Sequence, residues 1–132
     1  MILLATIVVT LAAALHVVIF FMESVAWTRP TVWRRFGVAS QEAADTTRPM
    51  AYNQGFYNLF LAVGAIVGLV LYAVGQHAAG LALIIFTAAS MLAAAVVLVT
   101  TGRGYLRPAI IQGILPLIGL LLLVIGLANG ER

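Results

Sequence analysis

The sequence has no cysteine and no lysine, and charged residues fill only 8% of its 132 positions. Without cysteine, disulfides and thiolate metal sites are excluded, while the redox compartment stays open. So little charge cannot dress a soluble surface: 64% of the residues are hydrophobic and the mean hydropathy is +1.13, the profile of an integral membrane protein. Positive charge is missing from the opening residues too. Met1-Ile2-Leu3-Leu4 opens an apolar run too long for a signal-peptide core, so a retained first helix is expected. No glycine-rich phosphate loop, nucleophile elbow or Walker pattern is present.

What is present is four apolar segments, about 2–27, 51–75, 78–100 and 107–128, each reaching the roughly 20 residues needed to cross about 30 Å of hydrocarbon. They predict an all-α membrane protein: one domain over residues 1–132, with four transmembrane helices in an antiparallel up-down bundle. The only sizeable connection is 28–50. There Val32, Trp33 and Phe36 alternate with Arg34 and Arg35, and Ser40-Gln41-Glu42 reads as a helix start, which together predict a short surface helix. Gly64-x3-Gly68 and the Ala88–Ala95 tract offer small surfaces for close helix contact, within one chain or between two copies in a homo-oligomer.

All seven basic residues are arginine and they are unevenly placed. Arg29, Arg34, Arg35 and Arg48 lie in the first connection and Arg103 and Arg107 in the third; the second has only His77 and the C-terminus only Arg132. The positive-inside rule then puts loops 28–50 and 101–106 in the cytoplasm and both termini outside. Topology accounts for the net charge of +3, and no nucleic-acid partner is expected.

Against this background Glu23 stands out, because an ionisable group inside a bilayer costs about 2.5–3.5 kcal/mol on insertion scales. At 100° per residue, His16, Phe20, Glu23 and Trp27 share one face of the first span. Asn53, Gln54, Tyr57 and Asn58 gather on the second, with Tyr72 in line below Gln54, and Gln112 lies on the fourth beside Pro116 and Gly119. Counting about 1.5 Å per residue from the arginine-bearing end puts Glu23 about 6 Å deep, His16 about 16 Å, and Gln54, Tyr57, Asn58 and Gln112 between about 5 and 10 Å. These depths predict a polar pocket in the cytoplasmic half of the bundle, with Arg103 or Arg107 at its mouth. The plainer alternatives are interhelical hydrogen bonds that only hold helices together and an interfacial Glu23 paired with Arg29 or Arg107. Zinc needs three or four ligands and His77 falls in the opposite connection, so neither a metal nor a cofactor is expected.

Three stretches, Leu15-His16 with Glu23 and Trp27, Asn53-Gln54-Gly55-Phe56-Tyr57-Asn58, and Gln112-Gly113, resemble the bacterial membrane proteins grouped as domain of unknown function 1304. The resemblance covers nearly the whole chain. It implies a small four-helix inner-membrane protein whose polar stripe is the family's site, and it supplies no substrate. Tyr52 stands where a small residue is expected in relatives, which would narrow a pocket entrance.

Three functions follow as expectations. The first is binding or transport of a small amphipathic molecule, ion or proton through a pocket made by His16, Glu23, Trp27, Asn53, Gln54, Tyr57, Asn58 and Gln112. The second is an enzyme acting on a lipophilic substrate, with Glu23 and His16 as acid and base and Tyr57 as a donor to a developing oxyanion. The third is a structural or assembly subunit. The partners left open are the lipid bilayer, a small amphipathic or lipophilic ligand and a second copy of the chain.

Overall fold

The computed structural model describes residues 1–131, without the side chain of Arg103. Arg132 and the expected position of the Arg103 side chain at a pocket mouth lie outside the described residues. The described chain is helical with short turns: α1 (Ile2–Phe20) continuing as a π-helical turn (Phe21–Val25), α2 (Pro30–Trp33) with a 3-10 turn (Arg34–Phe36), α3 (Gln41–Ala73), α4 (His77–Thr100), a 3-10 turn (Arg103–Tyr105) and α5 (Leu106–Ala128). Four of these helices are long and apolar enough to cross a membrane, which makes this a multi-pass membrane protein of the expected all-α class.

The long helices close into a ring in which α1 packs on α3 and α5, and α4 packs on the same two helices from the far side. The first and last spans are therefore neighbours. Small residues set the spacing, as bilayer packing requires in the absence of a hydrophobic drive between helices. A Cβ on Gly80 would stand 2.5 Å from the Tyr72 nitrogen, so α3 and α4 meet almost backbone to backbone. Gly64 and Gly68 of α3 face Thr87 and Ile84 of α4, so this small-residue surface is used within the chain. Ala88, Met91 and Ala95 of α4 are also buried within the chain. The central core is made by Ala5, Val9, Ala12, Ala13, Ala62, Ala65, Ile84, Met91 and Leu123.

The connection 28–50 is where the sequence reading needs correction. Ser40 does start a helix, its side chain accepting from the Ala43 N–H at 3.1 Å, but that helix is the beginning of the 33-residue α3. The second span is thus helical from ten residues before the expected start at 51. Pro49 lies within it; a proline there removes only the bond to the carbonyl four residues back, and around it Asp45, Arg48 and Pro49 are all exposed. The separate surface helix reduces to the single turn α2 and its 3-10 extension, ended by Gly37 at φ 77°. Trp27, Trp33, Ala44 and Ala51 form a second small core there with Phe36 and Val38. The first span ends at Val25 rather than Trp27.

Candidate functional site

Glu23 sits in the middle of the π-helical turn, where the Ala26 N–H donates to the Phe21 carbonyl five residues back at 2.9 Å. Such turns widen the helix by one residue per turn and occur often at functional sites. Here the widened turn lies against Gly55 of α3, at which a Cβ would fall 2.1 Å from Ser24 Oγ and 3.1 Å from both Glu23 Cβ and the Phe20 carbonyl oxygen. Glycine is what lets α3 approach. Two hydrogen bonds then cross the seam: Ser24 Oγ donates to the Tyr52 carbonyl at 2.8 Å, and Asn58 Nδ2 donates to Glu23 Oε2 at 2.9 Å.

Asn58 Nδ2 also donates to the Gln54 carbonyl at 3.1 Å, so both amide hydrogens are used and the side chain is held as a donor toward the carboxylate. Glu23 is only 8% exposed. Among the described residues no cation pairs with it, so the alternative of an interfacial Glu23 bonded to Arg29 or Arg107 is not what the chain builds. A carboxylate partnered by one neutral amide keeps its net charge, and the amide offsets only part of the cost of burying that charge.

His16 is 1% exposed and its Nδ1 lies 2.9 Å from the Ala12 carbonyl. The carbonyl can only accept, so Nδ1 carries the proton and Nε2 is left as the basic nitrogen of the neutral ring. No hydrogen bond joins His16 to Glu23. The indole of Trp27 is buried, and its N–H donates to the Ala44 carbonyl at 2.9 Å, a clamp between the end of the first span and α3.

The remaining expected members do not join them. Asn53 and Gln54 are exposed, and Tyr57 is 55% exposed on the outside of the bundle. Gln112 is half-buried beside Gly113, whose close neighbour is Ala95 of α4, and it makes no hydrogen bond to Glu23 or Asn58. Tyr72 is at the other end, edge-on to His77 with ring centres 4.8 Å apart. The predicted eight-residue pocket is therefore replaced by a closed pair, Glu23 and Asn58, braced by Ser24 and Gly55. Phe56 covers this seam from outside, 5.1 Å from Phe20, 5.0 Å from Tyr52 and 6.2 Å from Phe60 between ring centres.

Ser24, Gly55 and Phe56 were not among the expected site residues. The signal for the buried face was in the sequence all the same: Ala51, Gly55, Asn58, Ala62, Ala65 and Gly68 recur every three or four residues and all are buried. Asn58 lies on that small-residue line, whereas Gln54 and Tyr57 flank it.

Among the described residues, two of the grooves on the bundle are well formed, and neither is lined by the pair. The larger, about 710 Å³, lies at the end bearing the termini, between Leu3 and Thr6 of α1 and Leu69 and Tyr72 of α3. The smaller, about 190 Å³, runs between α4 and α5.

A family model described as "Protein of unknown function (DUF1304)" matches residues 10–124, a stretch that includes Glu23, Gly55, Asn58 and both walls of the smaller groove. No curated protein and no solved structure matches the chain.

Proposed function

The chain belongs to the DUF1304 family, and from the Glu23–Asn58 pair we propose that it binds or transports a small amphipathic molecule, ion or proton, with Glu23 as the group that takes up the positive charge. The observation that carries this reading is a buried carboxylate whose partner is an uncharged amide. In a medium of low dielectric such a carboxylate gains most by taking a proton, a cation or the cationic end of an amphiphile. Asn58 suits both states: it donates through its amide hydrogens to the carboxylate, and after rotation its oxygen accepts from the carboxylic acid. The π-helical turn at Glu23 lacks the regular four-residue ladder of an α-helix, so local rearrangement disturbs fewer fixed bonds there. His16, deeper on the same helix, extends the path with a basic Nε2. In this reading the protein lies in a bacterial inner membrane with its arginine-bearing connections in the cytoplasm, so Glu23 is loaded from the cytoplasmic side.

The test uses purified protein in proteoliposomes containing a pH-sensitive dye, with tetraphenylphosphonium as the lipophilic cation. The wild type is expected to exchange protons for the cation, and Glu23→Gln to lose that exchange while keeping its helical content and at least most of its Tm. Equal exchange in the two proteins overturns the proposal. One observation favours a second, structural reading: the carboxylate and amide bond each other directly across the α1–α3 seam. That reading predicts no exchange in the wild type and only a lowered Tm in Glu23→Gln. The enzyme reading has no such support, since Tyr57 faces away from Glu23 and His16.

A further inference from the structure

The smaller groove has a floor and two walls. A Cβ on Gly113 would come 2.8 Å from the Ala95 Cβ, so α4 and α5 close tightly beneath it, and the branched side chains of Val96, Val99, Ile110 and Ile114 rise on either side. Every lining group is apolar or glycine. That excludes a polar ligand, because nothing in the groove would replace the hydrogen bonds it loses.

Position and length narrow the occupant further. The groove runs from Leu92 to Val99 on α4 and from Leu117 back to Ala109 on α5, seven or eight residues, or about 10 Å at the helical rise. It therefore occupies part of a single leaflet, half of a hydrocarbon layer about 30 Å thick. A second transmembrane helix would seek contact over its full length, and the groove stops too early for that. An acyl chain entering from the interface needs no more.

The end from which that chain enters is the arginine-bearing one. Arg107 is exposed and precedes Ile110 by three residues, about 4.5 Å along α5. At 100° per residue it falls about 20° beyond Ile114, at the edge of the face that lines the groove. Residues 92–117 contain Arg103 and Arg107 and no acidic residue. Along this stretch of chain a phosphate at the interface meets positive charge and no carboxylate, and arginine matches phosphate through paired N–H groups.

We propose that the α4–α5 groove is a binding site for an anionic phospholipid, with one acyl chain lying along Ala95 and Gly113 and the phosphate held by Arg107. The site is separate from Glu23 and does not depend on any role for it.

Native mass spectrometry of the protein in lipid mixtures of matched acyl chains tests this, with phosphatidylglycerol as the anionic and phosphatidylcholine as the zwitterionic lipid. The wild type is expected to retain one phospholipid with a roughly fivefold preference for the anionic headgroup, the scale of one arginine near a membrane surface. Arg107→Gln should still retain a lipid but bring the preference close to one. Val96→Trp, at a position 58% exposed on the groove wall, should lose the retained lipid whatever its headgroup. Ile110→Trp fills the same groove from α5 and serves if the first tryptophan variant does not fold. An absent preference in the wild type, an unchanged preference in Arg107→Gln, or undiminished retention in a folded tryptophan variant each overturns the proposal.

Discussion

At the scale of single residues, the seam between the first span and α3 depends on a missing side chain. Gly55→Ala puts a methyl group 2.1 Å from Ser24 Oγ, and although a hydroxyl can rotate, Glu23 Cβ and the Phe20 carbonyl at 3.1 Å cannot move so readily. The cost expected is about 1–3 kcal/mol, the range for overpacking a well-filled contact, read as a lowered midpoint in a reversible unfolding titration. Adding Ser24→Ala should recover part of the loss, and a Gly55→Ala protein as stable as the wild type would mean that the seam is looser than described. The same residues explain how much of the site was legible. Glu23, His16 and Asn58 were identified as buried polar groups from their place in the apolar spans, and the structure buries all three. Tyr57 and Gln54 lie on the outside instead, because polarity alone does not mark the interior face of a membrane span. In a bilayer the outside is also apolar and close packing decides which face turns inward, so the line Ala51, Gly55, Asn58, Ala62 was the better guide.

At the scale of elements, the four spans followed directly from hydropathy, which is strong because unpaired backbone cannot sit in lipid. The exact form of two elements did not follow. Nothing in Phe21–Val25 distinguishes a π-helical turn from an α-helical one by composition. Residues 28–50 read as a connection, yet α3 begins at Gln41 and passes through Pro49, since a proline breaks only one ladder bond and water can take up the freed carbonyl outside the hydrocarbon. What fastens this early part of α3 to the first span is the Trp27 indole on the Ala44 carbonyl. Trp27→Phe keeps most of the ring and removes the donor, so a loss of about 1 kcal/mol is expected, seen as faster amide hydrogen exchange over residues 41–51 with little change in α4. Uniformly faster exchange along the chain would contradict a local clamp.

At the scale of the whole molecule, the ring is closed by α1 against α5, where small residues again set the distance. A Cβ on Gly119 would stand 2.9 Å from Val9 Cγ2, and one on Gly126 would stand 2.7 Å from Ile2 Cγ1. The Ile2 N–H donates to Glu131 Oε2 at 3.0 Å, tying the far end of the same pair together. Gly119→Leu is therefore expected to open the ring rather than unfold it: a pair of cysteines introduced on α1 and α5 should crosslink more slowly, while a pair on α3 and α4 should keep its rate. Equal slowing at both seams would show that the four helices behave as one inseparable block.

The unbroken course of α3 has a mechanical consequence. Its first ten residues continue a membrane span as one rod, about 15 Å of lever arm at the helical rise. A tilt of the span by about 10°, well inside the range membrane helices adopt, swings the tip of that arm sideways by roughly 3 Å. A thickness change that tilted the span by that amount would carry the tryptophan-lined cluster on Ala44 sideways with it.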